Sequence, residues 1–186
     1  MGKLVAFNFV TLNGFMAGPK RDISWHRHGA EENSFAADAL GADAMLLFGR
    51  VTYQMMASYW PTPDAIKNDP TVAEGMNRAE KIVFSRTLKR ATWNNTKLVK
   101  TNIAREIKKL KQSSGKDMTI LGSGSIVTQF AQQDLIDEYQ IMVDPVALGN
   151  GTTLFKGLKH RLDLKLTGTK TFKSGVVLLS YRPLKA

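Results

Sequence analysis

Met118-Thr119-Ile120-Leu121-Gly122-Ser123-Gly124-Ser125, together with Met45-Leu46-Leu47-Phe48-Gly49-Arg50-Val51-Thr52, decides the fold. Each is a short apolar run that stops at a glycine and opens into helix-forming sequence. Each therefore reads as a buried strand that turns tightly into a helix. A helix start presents unpaired backbone N–H groups and the positive end of a dipole, which suits phosphate. Two such corners on one sheet can hold the two phosphate-bearing ends of a dinucleotide.

Outward from these corners, apolar runs bounded by polar turns predict strands near 3–12, 44–48, 81–85, 97–100, 118–121, 137–144, 162–172 and 175–182. Helical patterns fall near 30–40, 51–59, 70–78, 102–113 and 125–133. Lys173-Ser174-Gly175 is a hairpin signal between the last two strands, which alternate apolar with polar as a half-exposed antiparallel pair does. Pro61-Thr62-Pro63-Asp64 and Asp69-Pro70 read as a surface connection between helices. Strands and helices alternate before the chain closes on antiparallel strands. This predicts an α/β three-layer sandwich over residues 1–186, one domain with a mostly parallel central sheet, helices on both faces and an antiparallel C-terminal edge. Ligands of such sheets sit beyond the carboxyl ends of the strands, where Gly49 and Gly122 both fall.

Composition narrows the function classes. The apolar fraction of 43% and charged fraction of 23% are those of a soluble globular protein. No apolar stretch approaches a membrane span, and Met1-Gly2-Lys3-Leu4-Val5-Ala6-Phe7-Asn8 reads as a first strand, not a signal peptide. With no cysteine, disulfides, thiolate nucleophiles and cysteine-ligated zinc are excluded, and a cytoplasmic location is expected. His26 and His28 can share a metal only on an extended segment, and no metal site is expected. The net charge of +10 is uneven: residues 81–116 carry eleven basic side chains and one acidic. A nucleic-acid surface is one reading. The other is a solvated helix face, since Ile103, Ile107 and Leu110 recur at helical spacing with Arg105, Lys108, Lys109 and Lys111 between them. An anionic small molecule is served by the same field, and no nucleic-acid or membrane partner is expected.

Several residues at strand ends can carry binding chemistry. Gly49 permits close approach, Arg50 can grip phosphate bidentately, and Thr52 can either donate a hydroxyl or cap its helix. Gly122 and Gly124 leave room for a pyrophosphate over the amides, with Ser125 as the N-cap and Ile126 and Phe130 on one helix face. Neither turn is a GxGxxG fingerprint or a phosphate-binding Gly-Lys-Ser/Thr loop. Lys81-Ile82-Val83-Phe84-Ser85-Arg86 supplies a third strand end with a hydroxyl and a guanidinium. Trp25 can stack on a substrate ring, whereas Trp60, Trp93 and the methionines read as packing.

On these residues the chain resembles the dihydrofolate reductase-like superfamily. It is most similar to the reductase domain of bifunctional riboflavin-biosynthesis deaminase/reductases and its stand-alone relatives. The blocks that carry the resemblance are Thr11-Leu12-Asn13-Gly14-Phe15-Met16-Ala17-Gly18, Phe48-Gly49-Arg50-Val51-Thr52-Tyr53, Val83-Phe84-Ser85-Arg86, Ile120-Leu121-Gly122-Ser123-Gly124, and Asp144-Pro145-Val146-Ala147-Leu148-Gly149-Asn150-Gly151-Thr152-Thr153-Leu154-Phe155. The resemblance implies an NADPH-dependent reductase of riboflavin biosynthesis type that acts on a small heterocyclic or ribosylaminopyrimidine-like substrate, and a homodimer. It implies that Gly49, Arg50 and Thr52 meet the cofactor phosphates and that Ser85 and Arg86 lie by the adenosine and its 2′-phosphate. It further implies that Gly122, Ser123, Gly124, Ser125, Ile126 and Val127 wrap the pyrophosphate, that the loop from Leu12 to Ala17 lines the nicotinamide, and that Gly149 also belongs to the cofactor site. Arg50 and Arg86 favour a 2′-phosphate, hence NADPH over NADH.

A folate-reducing enzyme sets a buried carboxylate on the helix after the opening loop to deliver a proton. Spacing back from Gly49 puts Asn33 there, with Glu31, Glu32 and Asp38 near and Asp22 in the preceding loop. The catalytic candidates are therefore Asp22, Glu32 and Asn33. An NADPH-binding regulatory protein without turnover is the alternative that the missing acid at Asn33 motivates. A basic nucleic-acid-binding protein ranks behind both.

Overall fold

The computed structural model describes residues 2–27, 29–39, 44–113 and 115–184. In chain order the elements are β1 (Leu4–Thr11), β2 (Phe15–Ala17), α1 (Ala30–Ala39), β3 (Met45–Gly49), α2 (Arg50–Tyr59), α3 (Pro63–Asn68), α4 (Pro70–Arg78), β4 (Lys81–Phe84), β5 (Thr96–Val99), α5 (Ile103–Ser113), β6 (Met118–Leu121), α6 (Gly124–Ala131), β7 (Glu138–Asp144), β8 (Thr152–Thr153), β9 (Leu164–Thr171) and β10 (Val177–Pro183). Eight strands form one sheet in the order β5-β4-β3-β6-β1-β7-β10-β9. The pairs from β5 through β7 are parallel, and β10 runs antiparallel to both β7 and β9. The α/β sandwich with an antiparallel edge is therefore the fold.

Hydrophobic patterning explains the layers. Every residue of β3 and of β4 is buried, as expected for parallel strands covered on both faces. Successive side chains alternate between faces. Leu47, Ile82, Phe84 and Ile120 meet Ile107 of α5 and Ile126, Val127 and Phe130 of α6. Leu46, Phe48 and Val83 meet Tyr53 of α2, Val72 and Met76 of α4, and Trp93. Beside the second layer, Phe7, Met142, Phe172, Val176 and Leu178 pack against Phe35 of α1. By contrast, β9 is largely exposed, which suits an edge strand carrying lysines and threonines.

Two features depart from the sequence expectation. Pro63–Asn68 is a helix, not a plain connection. Pro63 stands in its first turn, where a missing N–H costs nothing, and the Thr62 hydroxyl accepts from Ala65 N–H at 3.2 Å. The second is the two-stranded ribbon of β2 and β8, which lies outside the predicted strands.

Lys81 is a charged residue in the core, only 1% exposed. Its ammonium donates to the carbonyls of Met76, Asn77 and Ala79 at 2.8, 3.2 and 2.7 Å, which closes the C-terminus of α4. It also lies 4.5 Å from the centre of the Trp93 ring. Burial draws its pKa down to about 8.

Candidate active site

The two glycine corners lie side by side, because β3 and β6 are neighbours in the sheet. They are also bonded: the Gly49 N–H donates to Ser123 Oγ at 2.9 Å, and that hydroxyl donates to the Leu121 carbonyl at 3.1 Å. Gly122 and Ser123 both adopt left-handed backbone, with φ of 56° at each. The chain thus leaves β6 sharply and starts α6 at Gly124, with Ser123 in the cap position. This corrects the expected cap: Ser125 lies exposed inside the first turn of α6, and Ser123 spends its hydroxyl on the neighbouring corner. A Cβ at Gly124 would collide with Met16 Sδ and sit 3.0 Å from the Leu154 carbonyl, so any side chain there requires both neighbours to shift.

Among the described residues, no side chain caps the N-terminus of α2 or of α6. Two helix N-termini therefore point their N–H groups beyond the same sheet edge, an arrangement suited to anions. Arg50 is exposed there, with Nη1 donating to Gln54 Oε1 at 3.1 Å. Thr52 faces Gly122, whose Cβ would come 3.3 Å from the Thr52 methyl. Ile126 and Val127 are buried, and their N–H groups donate to the Ser123 carbonyl at 2.8 and 3.0 Å, which closes the first turn of α6.

Beyond α6 lies a groove of about 500 Å³ between the ends of β4 and β5 and the starts of α5 and α6. Ser85, Arg86, Lys100, Asn102, Arg105 and Gln129 are among its lining residues, and among the described residues none that lines it is acidic. Ser85 Oγ accepts from the N–H groups of Thr87 and Leu88 at 3.2 and 2.9 Å, which fixes the turn that carries Arg86. Lys100, Asn102 and Arg105 were absent from the sequence candidates. Their signal was available: Val99-Lys100-Thr101-Asn102 is another strand end ahead of a helix.

At the opposite end of this edge, the opening loop is tied to the 148–153 loop. Thr11 Oγ1 donates to Asn13 Oδ1 at 2.8 Å, and Asn13 Nδ2 donates to the Leu148 carbonyl at 2.7 Å. Phe15 pairs with Thr153 and Ala17 with Thr152. Leu12 is 72% exposed, although large and apolar. Gly149 has open space around it.

The catalytic candidates are scattered. Asp22 is exposed, and the Ser24 backbone N–H, then its hydroxyl, hold the carboxyl below the usual carboxylate range. Glu32 is buried and accepts from the Ser174 hydroxyl, fastening α1 to the β9–β10 hairpin. Asn33 donates to Asp69 at 2.8 Å, between α1 and the start of α4. A different carboxylate occupies the sheet edge. Asp144, fully buried at the end of β7, accepts from the Arg27 N–H at 2.9 Å and faces His26 Nδ1 at 3.2 Å. The His26 ring in turn packs 3.8 Å from the centre of the Phe9 ring. His28, the other half of the metal pair considered, lies outside the described residues. Among the described residues no cluster of three or more potential ligands is present, and no helix is long and apolar enough to cross a membrane.

The remaining polar anomaly is Asn8 in β1. It is 1% exposed, and neither amide atom has a hydrogen-bond partner among the described residues.

This strand order is that of the dihydrofolate reductase-like class of α/β fold. The chain belongs to the RibD C-terminal domain family, which matches residues 2–178. It is 33% identical over 172 residues to the uncharacterized protein YyaP of Bacillus subtilis (strain 168), covering 92% of this chain and 90% of that one. A Shewanella sp. PV-4 protein assigned to riboflavin biosynthesis superposes with a TM-score of 0.77 at 21% identity, covering 98% of this chain and 99% of that one. Dihydrofolate reductase from Enterococcus faecalis, solved with NADP(H), gives a TM-score of 0.68 at 13% identity and covers 99% and 98%.

Proposed function

We propose that the protein is an NADPH-dependent reductase of a small heterocyclic, ribosylaminopyrimidine-like substrate. One observation carries this reading: two side-chain-uncapped helix N-termini, tied by the Gly49–Ser123 hydrogen bond, adjoin a basic groove free of acidic lining among the described residues. A diol-reading acid is the mark of a site for the unphosphorylated cofactor, and Arg86, Lys100 and Arg105 suit a 2′-phosphate instead. The N–H groups of Gly124 and Ser125 meet the pyrophosphate, at a corner shaped by Gly122, Ile126 and Val127, whose own N–H groups donate within the protein, with Arg50 and Thr52 at its flank. Leu12, Ala17 and Gly149 line the far end. When bound, the dihydronicotinamide supplies hydride from C4, which reduces a C=N or C=O bond. The matching proton passes through the Asp144–His26 pair, whose carboxylate by alternation shares a face of β7 with Met142, in the layer that packs against Phe35 of α1.

A second reading, an NADPH-binding regulator without turnover, is favoured by the engagement of Glu32 with Ser174 and of Asn33 with Asp69. The two separate in one experiment. NADPH absorbance is followed with dihydrofolate and with ribosylaminopyrimidine phosphates. Oxidation supports the reductase. Tight binding without oxidation across the panel supports the regulator. A homodimer through the terminal strands belongs to the same reading and is checked by sedimentation velocity.

A further inference from the structure

A buried amide with no partner is rare, and each one calls for a physical reason. Asn8 is 1% exposed, with both Oδ1 and Nδ2 unsatisfied among the described residues. Its place in the sheet supplies the reason. The last β1–β6 pair is Phe7 with Leu121, after which Gly122 turns away while β1 continues beside β7 to Thr11. Asn8 is therefore the first residue of β1 beyond the point where the two strands part. The chain builds outward from β1 to β5, returns through β6, and then adds β7 on the other side, so this split is also where the strand order reverses. Ligands of open α/β sheets enter at that crevice. By alternation Asn8 shares a face with Ala6 and Val10, in the core layer that also holds Val127 of α6 and Met16.

We propose that the Asn8 amide reads the carboxamide of the bound nicotinamide, donating through Nδ2 to its carbonyl and accepting its NH₂ through Oδ1. This rests on the dinucleotide reading above and deepens it, because it assigns the ring-end specificity to one side chain. A primary amide is the group that offers a donor and an acceptor to another primary amide. Reaching it requires side chains at the crevice to swing aside, and unbranched Met16, seated against Gly124, is suited to that.

The test is calorimetric titration of wild type, Asn8→Leu and Asn8→Val with three probes: NADPH, its reduced 3-acetylpyridine analogue, and 2′-phospho-ADP-ribose. The analogue keeps the carbonyl and lacks the NH₂ donors. Wild type is expected to prefer NADPH over the analogue by roughly tenfold, the scale of one buried hydrogen bond. In both variants the ratio falls to near one, while 2′-phospho-ADP-ribose binds as to wild type. The unliganded variants melt at or above the wild-type temperature, since an unsatisfied amide has been removed. An unchanged NADPH-to-analogue ratio in the variants, or a wild-type ratio near one, overturns the role of Asn8 while leaving the cofactor reading intact. Failure of wild type to bind both NADPH and 2′-phospho-ADP-ribose overturns the cofactor reading itself, and this inference with it.

Discussion

Replacing Ser123 by Ala removes a hydroxyl that joins the two glycine corners. In the native protein its oxygen accepts from the Gly49 N–H at 2.9 Å and its proton goes to the Leu121 carbonyl at 3.1 Å, with Ser123 5% exposed. The substitution leaves the Gly49 N–H buried and unpaired, a loss of about 1–3 kcal/mol. For a chain of this length each kcal/mol moves the melting temperature by about 2–4 °C, so a central value near 2 kcal/mol lowers it by roughly 4–8 °C. Ser123→Gly separates the hydroxyl from the backbone. It loses the same hydrogen bonds but relieves the left-handed conformation at φ 56°, which costs a residue with a Cβ about 1 kcal/mol. Ser123→Gly is therefore expected to melt above Ser123→Ala and below wild type. Differential scanning calorimetry of the three proteins gives the order directly. A melting temperature for Ser123→Ala within about 1 °C of wild type would refute the tie between the corners.

Two further outcomes follow from the packing and titration of the core. Gly124→Ala drives a methyl into Met16 Sδ and towards the Leu154 carbonyl, so it should destabilise by about 1–3 kcal/mol, with Met16→Ala rescuing only part because the carbonyl stays in place. Urea midpoints of the single and double variants measure this, and full rescue would show that Met16 alone makes the glycine necessary. For Lys81, the folded pKa of about 8 lies below the ordinary 10.5, so between these values the unfolded chain holds the proton that the native protein has released. Wild-type stability therefore gains up to about 1.4 kcal/mol per pH unit from this group across that window and nothing below it. Urea unfolding of wild type and Lys81→Met over the same window should show that increment in wild type alone; equal slopes would contradict it.

The sheet was legible because its strands announce themselves as apolar runs bounded by turns. The run at 118–121 coincides with β6, and the run at 137–144 with β7 to within a residue. What escaped depends on partners distant in the chain. Phe15–Ala17 and Thr152–Thr153 are too short to signal a strand and exist only because they pair with each other. Asp144 and His26 are 118 residues apart, and Glu32 and Ser174 are 142 apart, so no local pattern joins either pair. Pro61 and Pro63 look like breakers, yet Pro63 occupies the helix position where proline is tolerated. A serine at a helix start accepts N–H groups, which points to Ser125 as the cap at the second corner; the left-handed Gly122 and Ser123 instead begin the helix at Gly124. The charged residues 100–105 read in one dimension as the approach to a solvated helix, and only the sheet order shows that Lys100 and Arg105 share a groove with Arg86.

Calorimetric titration of NADPH against NADH on wild type and Arg86→Ala decides whether this end of the sheet takes a 2′-phosphorylated nicotinamide dinucleotide. Wild type should bind NADPH at least about tenfold more tightly than NADH. Arg86→Ala should lose about tenfold for NADPH and little for NADH, the scale of one partly exposed charge-assisted contact. Equal affinities for the two cofactors in wild type, or an Arg86→Ala loss shared equally by both, would contradict the account.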